Sequence, residues 1–174
     1  MADRIAPDGA LPAYGLADGA GSFRRSLTAR QRGSIDRALA IVGRVLVTNR
    51  ALCDSSAAVK SYLRLQLGGE SVEHFGVLFL DAQHRAICFE RLFAGTLAMT
   101  SVYPREVVRA ALAHHAHSVI LAHNHPSGQA EPSRADEMLT QTLKAALALV
   151  DVRVLDHFIL VPDGAVSMVE RGML

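Results

Sequence analysis

The chain has 174 residues, half of them hydrophobic, 5% aromatic and none tryptophan, with a formal net charge of +1. That length suits one domain able to bury a sizeable core, and the composition is that of an ordinary α/β protein. The near-neutral balance argues against a strong, non-specific nucleic-acid binder, and no apolar run approaches the roughly 18 residues of a membrane span.

In chain order, residues 1–25 are rich in Gly, Ala and Pro without a sustained period, and read as a flexible arm. Eight Arg face four Asp in residues 1–50, a bias read as a solvated helix face. From Leu27 to Leu46 the apolar residues Ile35, Leu39, Val42 and Leu46 form a helical stripe. A second helix is expected from Asp54, as N-cap, to Leu67, stopped by Gly68-Gly69, with Val59, Tyr62, Leu63 and Leu67 on its core face. Residues 26–69 are therefore a helical N-terminal segment, and residues 70–174 the main domain.

Within that unit, Phe75–Leu80 and Arg85–Phe89 read as a hairpin around an Asp81–His84 turn. A helix opens at Pro104, with acid in its first turn, and runs to about His115. The apolar run Ser118-Val-Ile-Leu-Ala122 is a buried strand ending at His123, followed by a loop and a helix from Ser133 to about Val150. Val152–Val161 is another strand, and Gly164–Val169 a short last one. The order of elements predicts an α/β fold, a mixed central β-sheet with helices packed on it. Cys53 and Cys88 form no C-x-x-C pair and no disulfide framework, so a reducing, cytoplasmic setting is expected.

The chemistry concentrates in His123-Asn-His125-Pro-Ser-Gly128 and Ser133-Arg-Ala-Asp136. Residues i and i+2 of a strand face one side, so both imidazoles can aim at one ion, with Gly128 allowing close backbone approach. A carboxylate eleven positions after His125 completes three ligands and leaves a fourth position open, the catalytic arrangement of zinc. Ser133 and Asp136 have a rival reading, a capping box in which the serine caps the helix and the N3 acid bonds back. A zinc hydrolase also needs a proton acceptor near the attacking water, and spacing leaves Glu70, Glu73, Glu90 and Glu131 all open. His114, His115 and His117 read as a helix C-terminus rather than a second metal site. His157, beside Asp156, reads equally as a support for the site or as a buried hydrogen-bonded residue, and His74 falls on the face opposite Glu73.

His123-x-His125, seven residues, then Ser133-x-x-Asp136 resembles the JAMM (MPN-type) metalloprotease signature. The segments Ala122–Gly128, Pro132–Asp136, Leu155-Asp-His157, Glu73–Asp81, Phe93-x-Gly-Thr96 and Pro104-Arg-Glu106 look like its bacterial RadC branch, a likeness running from about Ser55 to Leu174. The resemblance implies a cytidine-deaminase-like fold and one zinc per chain, held by His123, His125 and Asp136. It places the acid/base on Glu73, in Glu73-x-x-Gly76, and gives Ser133 the task of steadying a tetrahedral intermediate. It implies a hydrolase cleaving a peptide or isopeptide amide bond, with a peptide or protein as substrate.

Two other roles fit the same fold: a non-enzymatic protein-interaction module, and a DNA-repair accessory protein. RadC-type proteins often carry a helix-hairpin-helix region that residues 1–25 are too short and Gly-rich to supply, and no residue here reads nucleic acid. A nuclease reading of the contiguous string His123-Asn-His125 is spelling alone, because nucleases of that name use separated positions. A zinc nucleobase deaminase needs H-x-E and P-C-x-x-C, which are absent.

Overall fold

The computed structural model describes residues 27–48, 55–95 and 101–174. The arm at 1–25, the cap at Asp54, Thr96 of the Phe93-x-Gly-Thr96 segment, and the side chains of Leu39, Val42 and Leu46 lie outside the described residues. The elements are α1 (Ala29–Thr48), α2 (Ser56–Leu67), β1 (His74–Leu80), β2 (Ala86–Ala94), α3 (Pro104–Ala113), β3 (Ser118–Asn124), α4 (Arg134–Ala148), β4 (Arg153–Val161) and β5 (Gly164–Ser167). The strands form one sheet in the order β2-β1-β3-β4-β5, with β3 and β4 parallel and every other pair antiparallel. This is the mixed α/β sheet flanked by helices that the element order predicts. No described helix is long and apolar enough to cross a membrane.

Strands β1 and β3 are buried on both sides because helices cover both faces of the sheet. On one face Leu78, Leu80, Ile120, Ala122, Phe158 and Leu160 pack under Val59, Tyr62, Leu63 and Leu67 of α2. On the other, Phe75, Val77, Phe79, Val119 and Leu121 pack under α3 and α4. The inward stripe of α4 changes character along its length. Leu147 and Leu143 lie over the apolar core, and Thr140 and Asp136, one and two turns nearer the N-terminus, lie over the carboxyl end of β3. Parallel strands β3 and β4 are joined through α4, so the N-terminus of that helix returns above their carboxyl ends, where such sheets place ligands.

Some details depart from the expectations. β2 runs to Ala94 rather than Phe89, because its pairing with β1 continues past a bulge between Phe75 and Gly76 and reaches His74↔Ala94. Helix α2 begins after Ser55, whose side chain makes no cap hydrogen bond, and ends at Gly68 in a right-handed, not left-handed, conformation. Gly76 is required by packing: a Cβ there would lie 2.4 Å from the Phe89 ring, which crosses the strand to meet Tyr62 edge-on at 6.1 Å. Gly128 has a reason in its own backbone conformation. Its φ is +81° and a Cβ would meet nothing within 4 Å, so the turn after His125 needs a left-handed residue, not space.

Candidate metal centre

His123 lies on the α4-covered face of β3, following Val119 and Leu121 at two-residue intervals, and is 2% exposed. The strand stops at Asn124, yet His125 N–H still donates to Leu160 O of β4 at 2.8 Å. That extra ladder bond keeps His125 in register with His123, and the two Nε2 atoms stand 2.8 Å apart. His125 Nδ1 is held by Gln129 O at 2.7 Å, across the turn that Gly128 permits.

Asp136 approaches from α4. Its Oδ1 is 3.2 Å from His123 Nε2 and its Oδ2 is 3.7 Å from His125 Nε2. The capping box is present as well: Ser133 Oγ accepts from Asp136 N–H at 3.2 Å, and Ser133 N–H donates to Asp136 Oδ2 at 2.7 Å. The capping geometry and the approach to the histidines are compatible: Oδ2 caps the helix and also lies near His125, and Oδ1 faces His123. Burial pushes the carboxyl up, but the His123 imidazole and the Ser133 hydroxyl and N–H outweigh it and hold Asp136 well below the ordinary carboxylate range. It is ionised at neutral pH. The hydroxyl hydrogen of Ser133 goes to Asp136 Oδ2 at 2.6 Å, so that side chain is engaged with the carboxylate.

Glu73 sits immediately before β1. The pairing Phe75↔His123, continued by two residues, sets Glu73 opposite His125, on the same face of the sheet. The carboxylate of Glu73 and imidazole nitrogens of His123 and His125 all lie within 4.8 Å of one another. The other three glutamates are directed elsewhere. Glu70 pairs with Arg91 at 2.8 Å, Glu90 with His114 at 2.8 Å, and Glu131 with Arg171. His74 faces Glu70 at 3.9 Å and stays outside the cluster.

Three supporting residues escaped the sequence reading or were left open by it. Asn124, 3% exposed, accepts from His74 N–H at 2.8 Å and donates to Val72 O at 3.0 Å, so it grips the backbone on both sides of Glu73. His157 of β4 is fully buried behind His123, with Nε2 2.8 Å from His123 Nδ1. Burial, with His123 alongside, holds its pKa well below the usual imidazole value, so it is neutral. Thr140 Oγ1 lies 2.6 Å from His157 Nδ1. The available signal for Thr140 was its position four residues after Asp136, on the same helix face. Asp156 plays a different part from His157. It accepts from His157 N–H, Ser167 Oγ and Val169 N–H, which closes the β4–β5 hairpin.

His114 is the C-cap residue of α3, His115 follows at φ +51°, and His117 contacts Arg153. His114 does meet Cys88 and Glu90, with ligand-type atoms of the three within 4.8 Å of one another.

Residues 53–173 match the family described as the RadC-like JAB domain. A UPF0758 protein of Leptothrix cholodnii is 57% identical over 153 residues, covering 86% of this chain and 69% of the relative. A UPF0758 protein of a Polaromonas species is 67% identical over 125 residues, covering 72% of this chain and 56% of the relative. An Acidovorax relative with the same description is 64% identical over 125 residues, which is 52% of its length, so the chain spans between half and about two thirds of these relatives. By its sheet order, its histidine–carboxylate cluster and this match, the chain belongs to the RadC-like JAB domain family.

Proposed function

We propose that this protein is a zinc-dependent metallohydrolase that cleaves a peptide or isopeptide amide bond, with one zinc held by His123, His125 and Asp136. The observation that carries the reading is the convergence of two Nε2 atoms and an ionised carboxylate at the carboxyl end of β3, with a second carboxylate, Glu73, within reach. Two nitrogens and one oxygen form a donor set suited to zinc with an open position. His125 supports the fit directly. A carbonyl can only accept, so its Nδ1 carries the hydrogen toward Gln129 O, and its Nε2 presents a lone pair. Zinc in this set would supply a Lewis acid for the amide carbonyl and would bring the pKa of water to about 7.

The chain supplies the rest. Glu73 takes a proton from the attacking water and delivers it to the departing amine, a role that needs its carboxylate beside the imidazoles. Asn124 fixes the backbone that carries it. Ser133 turns its hydroxyl from Asp136 Oδ2 to steady the oxyanion of the tetrahedral intermediate. Asp136, locked in its capping box, keeps the helix N-terminus over the site.

The test is purification without chelator, zinc measured by mass spectrometry, and cleavage of a diverse peptide library. The parent should carry stoichiometric zinc and His123→Ala should not; equal zinc in both would sink the ligand assignment. Glu73→Gln should keep its zinc and lose cleavage. Loss of zinc from that variant would make Glu73 a ligand instead of the shuttle. Stoichiometric zinc with no cleavage of any peptide would favour the interaction module.

A further inference from the structure

Thr140 of α4 and His157 of β4 are polar side chains with 0% exposure, between the helix and a sheet face that is otherwise apolar up to the histidines. Nothing in the proposed reaction uses them. Their hydrogen bonds run in one sequence, and its direction follows from counting protons. The Thr140 hydroxyl owns a single hydrogen. Its acceptors are Asp136 O at 2.6 Å and, more distantly, Met168 Sδ at 3.5 Å. Both can only accept, so toward His157 Nδ1, 2.6 Å away, the hydroxyl oxygen must itself accept. His157 therefore carries its hydrogen on Nδ1 and leaves Nε2 bare. His123 Nδ1, 2.8 Å from that bare nitrogen, must donate to it. In the neutral ring the hydrogen of His123 is thus drawn to the back, and its Nε2 lone pair faces His125 and Asp136; only a ring protonated on both nitrogens keeps an N–H toward that carboxylate.

We infer that Thr140 and His157 are positioning residues that hold His123 as the Nδ1–H tautomer, with a bare Nε2 turned toward the metal position. The inference rests on the zinc reading proposed above and deepens it. The carbonyl that starts the sequence belongs to Asp136, whose carboxylate faces His123 Nε2 at the other end. One turn of α4 therefore sets both a ligand and the tautomer of its neighbour. With His125 fixed independently by Gln129 O, the Nε2 atoms of both rings and the Asp136 carboxylate face one another. A cation placed among these three groups would be met by a donor from each.

Two measurements test this. The first is nitrogen-15 NMR of the histidine-labelled, metal-free full chain at about pH 8, where unpaired imidazoles are neutral. His123 and His157 should both appear as Nδ1–H tautomers, the reverse of the form histidine favours in water. A neutral Nε2–H tautomer for either, with Nδ1 bare, would overturn the relay, whether or not the protein binds zinc. The second compares zinc affinity, by chelator competition, among the parent, Thr140→Val and Thr140→Ser. The valine variant keeps the shape but loses the hydroxyl, and should bind zinc about 10-fold or more weakly, in the range typical of lost support to a ligand. The serine variant should bind like the parent. Equal affinity for valine and parent would overturn the inference; a parent that binds no zinc would instead overturn the metal reading, while the NMR result still decides the tautomers. A valine variant that fails to fold leaves the NMR of the parent as the deciding measurement.

Discussion

Among the described residues, two places bring histidine and acid together with metal-ligand spacing, and they differ in what surrounds them. At the carboxyl end of β3, His123, His125, Asp136 and Glu73 meet, and the outer nitrogen of each imidazole is engaged by another part of the protein. At the edge of the sheet, Cys88 and Glu90 of β2 meet His114 beyond α3. There the groups satisfy each other. Glu90 Oε1 is bonded to His114 Nε2 at 2.8 Å, and burial, with Glu90 beside it, pushes the Cys88 thiol up to about 11. In the first cluster the surroundings ionise the carboxylate and leave His125 Nε2 bare. In the second they protonate the thiol and consume the pair. Proximity of ligand types does not make a site; the hydrogen bonds behind the ligands decide it.

The largest expected contrast is in bound zinc. Asp136→Ala should reduce zinc to background, while Cys88→Ser should leave it at the parental level, read by mass spectrometry of the purified proteins. The Asp136 variant should also melt earlier, because loss of a helix-capping side chain costs about 1 kcal/mol. Ser133→Ala separates the two effects, since it loses the cap but keeps every proposed ligand. Zinc lost on Cys88→Ser would erase the distinction between the clusters.

A smaller effect is expected at Asn124, which ties Glu73 to the first cluster. Asn124→Ala leaves His74 N–H and Val72 O without their partner, at a cost of about 1–3 kcal/mol for buried polar groups left unpaired. Hydrogen exchange at the His74 amide should accelerate more than at Phe79, in the centre of β1. Uniform acceleration along the strand would show that Asn124 supports the sheet generally and has no special hold on the Glu73 segment.

How much of this was legible in the sequence follows the range of each signal. The buried strand before His123, the helical stripe of α4 and the capping box are local patterns, and the chain adopts them within a few residues of the expected bounds. The joint presence of His123 and His125 followed from strand periodicity, and needed only the one ladder bond beyond the strand to hold. Glu73 was different. Four glutamates stood level by spacing, and the resemblance to a family, not the pattern, singled one out. Its place depends on antiparallel register between β1 and β3, a contact fifty residues apart that no local period reveals. Thr140 and Asn124 were invisible for a related reason. One is an ordinary helix residue and the other the middle letter of His-Asn-His, and each gains meaning only from a partner on another element. Gly128 shows a further limit, because a sequence reveals that a glycine is present and not that the backbone there takes a left-handed conformation.

The subtlest test of the comparison is the reactivity of Cys88. A thiol moved from 9.0 to about 11 holds roughly a hundred-fold less thiolate at neutral pH than an unperturbed one, and the thiolate is the nucleophile. Alkylation of Cys88 by iodoacetamide, followed on its own peptide by mass spectrometry, should be slow at neutral pH and keep rising with pH toward about 11. Burial is the larger cause and Glu90 the smaller, so Glu90→Gln should speed the reaction at neutral pH by only part of that factor. The same substitution releases His114 from its carboxylate partner. If the released imidazole then drew Cys88 and a metal together, the variant would carry more zinc than the parent. That gain would mean the Glu90–His114 pair is what keeps the second cluster closed to metal. An unchanged zinc content with faster alkylation would place the barrier in the buried thiol itself.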